Sequence, residues 1–177
     1  MKTAYVNLVV VRRSPLDRRR GRLEAGALVL PCALGRTGPR RDKREGDGAS
    51  PIGRFPLLQG FYRADRMNRP RTGLKLRPLR PQDGWSDDPR DRRYNRPVPL
   101  PCPTGHEKMW REDHLYDIVL DIGWNRGPIR RGRGSAIFLH LARPGFAPTE
   151  GCVAVAPQAA RRLLERIGPR TRIAILG

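Results

Sequence analysis

The chain has 177 residues, 38% of them hydrophobic, with 19 Gly and 18 Pro, which suits one domain rich in turns and short strands, with a core that needs no disulfide staples. Its 36 Lys and Arg against 17 Asp and Glu leave a formal charge of +19, a balance that would suit a polyanion. Yet lysine occurs only at Lys2, Lys43, Lys75 and Lys108, and the basic residues are scattered end to end, as a GC-rich coding bias toward Arg on solvated faces would leave them, so nucleic acid is not the expected partner.

The apolar run Val6–Val11 is too short for a secretory core and lacks a small-residue cleavage site, so residues 4–11 are predicted as a first strand. No stretch is long enough to span a membrane. Residues 22–34 read as a second strand with a turn around Gly21 or Gly26, 35–55 as a charged Gly-rich loop, and Leu57–Tyr62 as another short strand. From Arg63 to His114 there is almost no periodicity, and Pro recurs at 70, 78, 81, 89, 97, 99, 101 and 103. A loop this long in a compact domain is usually functional, and it is predicted to cross the surface over a binding cleft. Leu115–Asp121 alternates as a strand should, and Ser135–Leu141 reads as a buried central strand. Pro157–Ile167 is the one convincing helix, started by Pro157 and stopped by Gly168-Pro169, and Arg170–Leu176 closes the chain as a strand.

Three widely spaced cysteines, Cys32, Cys102 and Cys152, exclude a dense disulfide framework and leave at least one thiol free. His140 ends the apolar run SAIFLH, and Cys152 follows a turn at Thr149-Glu150-Gly151. Neighbouring strands joined by such a loop bring the two together, and an imidazole that takes the thiol proton makes a cysteine nucleophilic. Iodoacetamide would then single out Cys152. Gly151 permits a sharp turn and leaves backbone N–H groups open to a developing oxyanion. The bland alternative is a small buried thiol and a structural histidine.

Two rival chemistries are weaker. Asp83, Asp87 and Asp88 lack the spacing of a calcium loop, and read better as a turn salted with nearby Arg. Cys102, His106 and His114, with Cys152, would need a second short-spaced pair to make a zinc site. No metal and no cofactor is expected. Lys43, Glu45 and Asp47 alternate in a Gly-rich loop that reads as a cleft wall, with Lys43 facing a carboxylate, or else as a solvated turn. Trp85, Tyr94 and Trp110 either line the cleft or pack.

His140 with the downstream TEGC at 149–152, Ser50-Pro51-Ile52-Gly53, and the set KREGDG, DGWSDDP, YN and GSAIFLH together resemble the YkuD family of L,D-transpeptidase catalytic domains, from about Val6 to Ile175. The resemblance implies a mainly β, single YkuD-like domain over residues 1–177, sandwich-like or barrel-like, with one clear helix near the C-terminus and a long Pro-rich surface excursion. It further implies a cysteine acyltransferase acting on peptidoglycan stem peptides. Cys152 is then the nucleophile, His140 the base, Gly151 the turn and backbone donor, and Thr149 the usual hydroxyl. Three departures stand out: Glu150 replaces the family's second His, Val153-Ala154-Val155 replaces polar residues after the Cys, and the His140–Cys152 spacing is short. Glu150 is therefore assigned to orient His140, and Arg143, Arg44 or Lys43 to hold the substrate carboxylate, with Trp85 on the cleft wall. The alternatives are a hydrolase with the same site, or a non-catalytic basic module that binds nucleic acid or wall polymer. The family's substrate implies the periplasm or cell envelope, while the chain as given carries no signal peptide, so a cytoplasmic location is the alternative. The oligomeric state is not readable.

Overall fold

The structure, a computed structural model, describes residues 4–177; Lys2 lies outside them. The strands in chain order are β1 (Leu8–Arg13), β2 (Arg20–Ala25), β3 (Leu28–Ala33), β4 (Pro39–Arg40), β5 (Ser50–Pro51), β6 (Gly53–Pro56), β7 (Gly60–Tyr62), β8 (Leu76–Pro78), β9 (Asp83–Ser86), β10 (Pro97–Pro99), β11 (His106–Lys108), β12 (Ile118–Asp121), β13 (Phe138–Leu141), β14 (Val153–Val155) and β15 (Arg172–Leu176). The single α-helix, α1, covers Pro157–Leu164. Ten strands form one sheet in the order β6-β15-β1-β2-β3-β14-β13-β12-β7-β8, curled into a half-barrel, so the mainly β reading with one helix is correct.

The sequence explains the N-terminal strands directly. In β1, Val9 and Val11 point into the core while Val10 and Arg12 face outward. The stretch 22–34, read as a second strand with a turn around Gly21 or Gly26, is a hairpin that turns at Gly26: Ala25 pairs with Leu28 across Gly26-Ala27, with Gly26 at φ +61°. A left-handed first residue matches the twist of the flanking strands.

In the middle of the sheet the two faces carry different layers. Ile118, Leu120, Leu139, Leu141, Val153 and Val155 join the main core, where α1 packs Leu163 and Leu164. Val119, Phe138 and Cys152 face the opposite side, under Trp85, Met109, Leu115 and Tyr116. Trp85 and Met109 of that roof come from residues 63–114, which are not structureless. β8 pairs with β7, and β10-β9-β11 make a second, three-stranded sheet. The strands escape a periodicity search because each has only three or four residues, and Pro97 and Pro99 sit on an edge strand, where a missing N–H is tolerated.

Other boundaries shift for local reasons. The charged loop 35–55 contains β4 and β5, paired in parallel, and β6, which edges the large sheet beside β15. The strand predicted from Ser135 begins only at Phe138, because Ala136 takes a left-handed φ of +50°. The helix predicted to Ile167 ends at Leu164, and its last turn tightens through Arg166 N–H to the Leu163 carbonyl at 2.9 Å. Among the described residues no helix is long and apolar enough to cross a membrane.

Candidate active site

β13 and β14 run parallel, with Leu139 opposite Val153 and His140 opposite Ala154. Side chains alternate across a sheet, so Phe138, His140, Cys152 and Ala154 share the face beneath the three-stranded sheet. The connection between these strands makes a 3₁₀ turn at Pro144–Phe146 and docks on the chain after β3, Thr149 N–H donating to the Leu34 carbonyl at 2.9 Å. Gly151 then turns the backbone at φ +135°, where an added Cβ would lie 2.7 Å from the Ala49 carbonyl oxygen. Only glycine fits both constraints. The Gly151 N–H donates to Thr149 Oγ1 at 3.1 Å, and the Thr149 hydroxyl donates to the Cys152 carbonyl at 2.7 Å. Ser50 of the Ser-Pro-Ile-Gly stretch reaches the same carbonyl at 3.5 Å. The Gly151 amide therefore serves the turn and is not an open donor toward an oxyanion.

The Cys152 sulfur accepts from the Phe138 N–H at 3.3 Å, and its S–H points to the Ala136 carbonyl at 3.4 Å. Burial pushes the thiol up to about 12, against the Phe138 N–H, which favours the thiolate. His140 is 6% exposed, its ring edge-on to Tyr116 with centroids 5.3 Å apart. Its Nδ1 lies 2.8 Å from the Leu141 carbonyl oxygen. A carbonyl only accepts, so Nδ1 carries the proton and Nε2 the lone pair. Burial pushes this imidazole down to about 4. At neutral pH the two groups are a thiol and a neutral imidazole, not a preformed ion pair.

Both groups line a cleft of about 450 Å³. Thr149, Glu150 and Arg143 line it too, so five of the residues picked from the sequence meet there. The others lie elsewhere. Lys43 is buried and pairs with Asp47 at 2.8 Å; the carboxylate it faces is inside its own loop. Arg44 is exposed beside Asp42. Trp85 is 1% exposed behind the cleft, where its indole N–H finds Asn95 Oδ1 at 3.0 Å and its ring meets the edge of Phe138. Glu150 does not orient His140: it pairs with Arg36 at 2.8 Å, and the Leu141 carbonyl orients the ring. That leaves Arg143, 4.0 Å from Asp113, as the freest cleft cation.

Sequence reasoning missed Glu107, Arg111, Tyr116 and Ser135, read Asp87 as part of a turn, and placed Glu45 on a cleft wall or a solvated turn; all six line the cleft. They come from four separate stretches of chain; the signal for Glu45 was its Gly-rich loop, and for Asp87, Glu107 and Arg111 the expected crossing of the excursion over a cleft. Arg111 is tied to Glu107 at 2.9 Å and to Asp113 at 3.0 Å. Burial, then the neighbouring Glu45 and Glu107, raises the Asp87 carboxyl above its ordinary value. The residues of the rival metal readings are dispersed: Cys102 bonds Thr104, His114 bonds Asp117, Asp83 pairs with Arg77 and Asp88 with Arg90. Among the described residues no three His, Cys, Asp or Glu gather as ligands.

Residues 8–175 match the model of the YkuD family, described as the L,D-transpeptidase catalytic domain. Among solved structures the chain is similar to Mycobacterium tuberculosis L,D-transpeptidase 1, at 14% identity and a TM-score of 0.41 over 96% of this chain. It spans 59% of that protein's length. No curated protein matches it.

Proposed function

Since the chain belongs to the YkuD family of L,D-transpeptidase catalytic domains, we propose that Cys152 and His140 carry out acyl transfer on peptidoglycan stem peptides. The observation that carries this reading is the His140 tautomer: Nδ1 is held by the Leu141 carbonyl, which leaves the lone pair on Nε2 of a ring that lines the same cleft as Cys152. The S–H rotates from the Ala136 carbonyl toward Nε2, and His140 takes the proton as sulfur bonds to the carbonyl carbon preceding a terminal D-alanine. The C–N bond then breaks, His140 returns the proton to the departing amine, and a thioester remains on Cys152. An amine from a second stem's diamino acid, having shed its ammonium proton to solvent, attacks that thioester; His140 takes a second proton from the nitrogen and returns it to the sulfur as the C–S bond breaks. The new amide is a 3→3 crosslink and the thiol is restored. The substrate would place this work in the cell envelope.

Arg143 suits the donor's carboxylate by charge and by its freedom from strong partners. Glu45, Asp87 and Glu107 favour a cationic amine as acceptor over water, which supports transfer over hydrolysis. Incubating the chain with a tetrapeptide-containing muropeptide and weighing the products tests this. The expected result is a crosslinked dimer together with free D-alanine, both absent for Cys152→Ala. Free D-alanine without dimer would make the chain a hydrolase, and neither product would refute the reading.

A further inference from the structure

Behind the cleft lies a polar network that no step of the proposed reaction uses. Asn95 is 1% exposed and left-handed at φ +56°. Its Oδ1 accepts from the Trp85 indole N–H at 3.0 Å and from the Ala136 N–H at 3.2 Å. Its Nδ2 donates to the carbonyls of Trp124 at 3.0 Å and Asn125 at 2.8 Å. Two donors on one side and two acceptors on the other admit a single amide orientation, and all four hydrogen-bonding positions are filled. The adjacent Tyr94 hydroxyl accepts from the Gly134 N–H at 3.0 Å and donates to Glu45 at 2.5 Å, and Glu45 also takes the Ser135 hydroxyl at 2.7 Å.

Gly134, Ser135 and Ala136 are therefore each tied to this network, and the sulfur's two partners, the Ala136 carbonyl and the Phe138 N–H, follow at once. Ala136 holds φ +50°, a conformation an alanine keeps only where its surroundings impose it. Resting on the reading of Cys152 as nucleophile, we infer that Asn95 is a positioning residue for that sulfur. It imposes the Ala136 conformation and so aims the Ala136 carbonyl and the Phe138 amide at Cys152, while Tyr94 and Glu45 anchor the segment upstream. The motifs KREGDG, YN and GS, distant in sequence, form one scaffold for the nucleophile.

Acylation of the full chain by a carbapenem, followed by mass spectrometry over time, separates the acylation rate constant from the probe's dissociation constant. Asn95→Ala is expected to lower the rate constant at least tenfold and to leave the dissociation constant within twofold. Asn95→Asp keeps the acceptor for Ala136 but turns an oxygen toward the Trp124 and Asn125 carbonyls. It should therefore melt at lower temperature yet acylate much faster than Asn95→Ala. Tyr94→Phe, nearly isosteric, should lose several-fold in rate alone, and decides the matter if Asn95→Ala does not fold. Folded variants that acylate at the wild-type rate, or whose rate and binding fall together with melting temperature, would overturn the inference. A wild-type chain that is not acylated at Cys152 would overturn the nucleophile instead, a separate outcome.

Discussion

Burial sets the protonation states of Cys152 and His140. The imidazole is pushed down to about 4, so the base form persists as pH falls from its ordinary 6.5 toward that value, while the unfolded chain would already take up a proton there. His140 therefore removes stability between about pH 6.5 and 4 but keeps its lone pair. The thiol is pushed up to about 12 from 9.0, so its stabilising effect is complete below pH 9 and lost above it, as the unfolded chain ionises first. Neither group titrates between pH 7 and 9. Cys102 is the contrast: the Thr104 hydroxyl first, and then Arg93, lower its thiol, and it is only partly buried. Iodoacetamide at pH 8 should thus label Cys102 first, Cys152 much more slowly, and Cys32, also pushed up to about 12, only on unfolding. Peptide mapping against time checks this order, and Cys152 reacting first would contradict it. At this scale the sequence singles out Cys152 and His140, which line one cleft, because a His after an apolar run and a Thr-x-Gly-Cys turn are local patterns. The partners of Glu150 and Lys43 were not legible in it: Arg36 is remote in sequence from Glu150, and pairing inside the 43–47 loop depends on burial that no spacing reveals.

The connection from β13 to β14 is the element on which the site depends. It must place Cys152 beside Phe138 within a parallel pair, and Gly151 is where it turns. Gly151→Ala would add a Cβ 2.7 Å from the Ala49 carbonyl oxygen at φ +135°. It is expected to cost roughly 2–3 kcal/mol in denaturant unfolding and to slow acylation of Cys152 as the sulfur is displaced; an unchanged midpoint would show that the turn relaxes. The outer elements were legible where each follows one rule: alternation in β1, a Gly-led turn between β2 and β3, Pro157 at the start of α1. The excursion over residues 63–114 was not. Its short strands are specified by contacts such as Trp85 against Phe138 and Arg63 over Trp110, 3.6 Å from the ring centroid, and such pairs leave no period in the chain.

Across the whole molecule, the half-barrel lends one face to the helix-backed core and the other to the cleft, and the excursion roofs the second. Many arginines pair with neighbouring acids at the surface, as in Arg19–Asp17, Arg90–Asp88 and Arg93–Asp91. The fold class was readable from the Pro and Gly content and the short alternating runs, whereas the cleft's acidic wall was not, since Glu45, Asp87 and Glu107 meet only after two loops cross. The central claim, that a neutral imidazole serves the Cys152 sulfur, is tested most directly by the rate of carbapenem acylation against pH in wild type and His140→Gln. The expected result is one adduct per chain, on Cys152, with a rate nearly level from pH 7 to 9 and at least a hundredfold lower in the variant. An adduct on another residue, or a variant that acylates as fast as wild type, would contradict it.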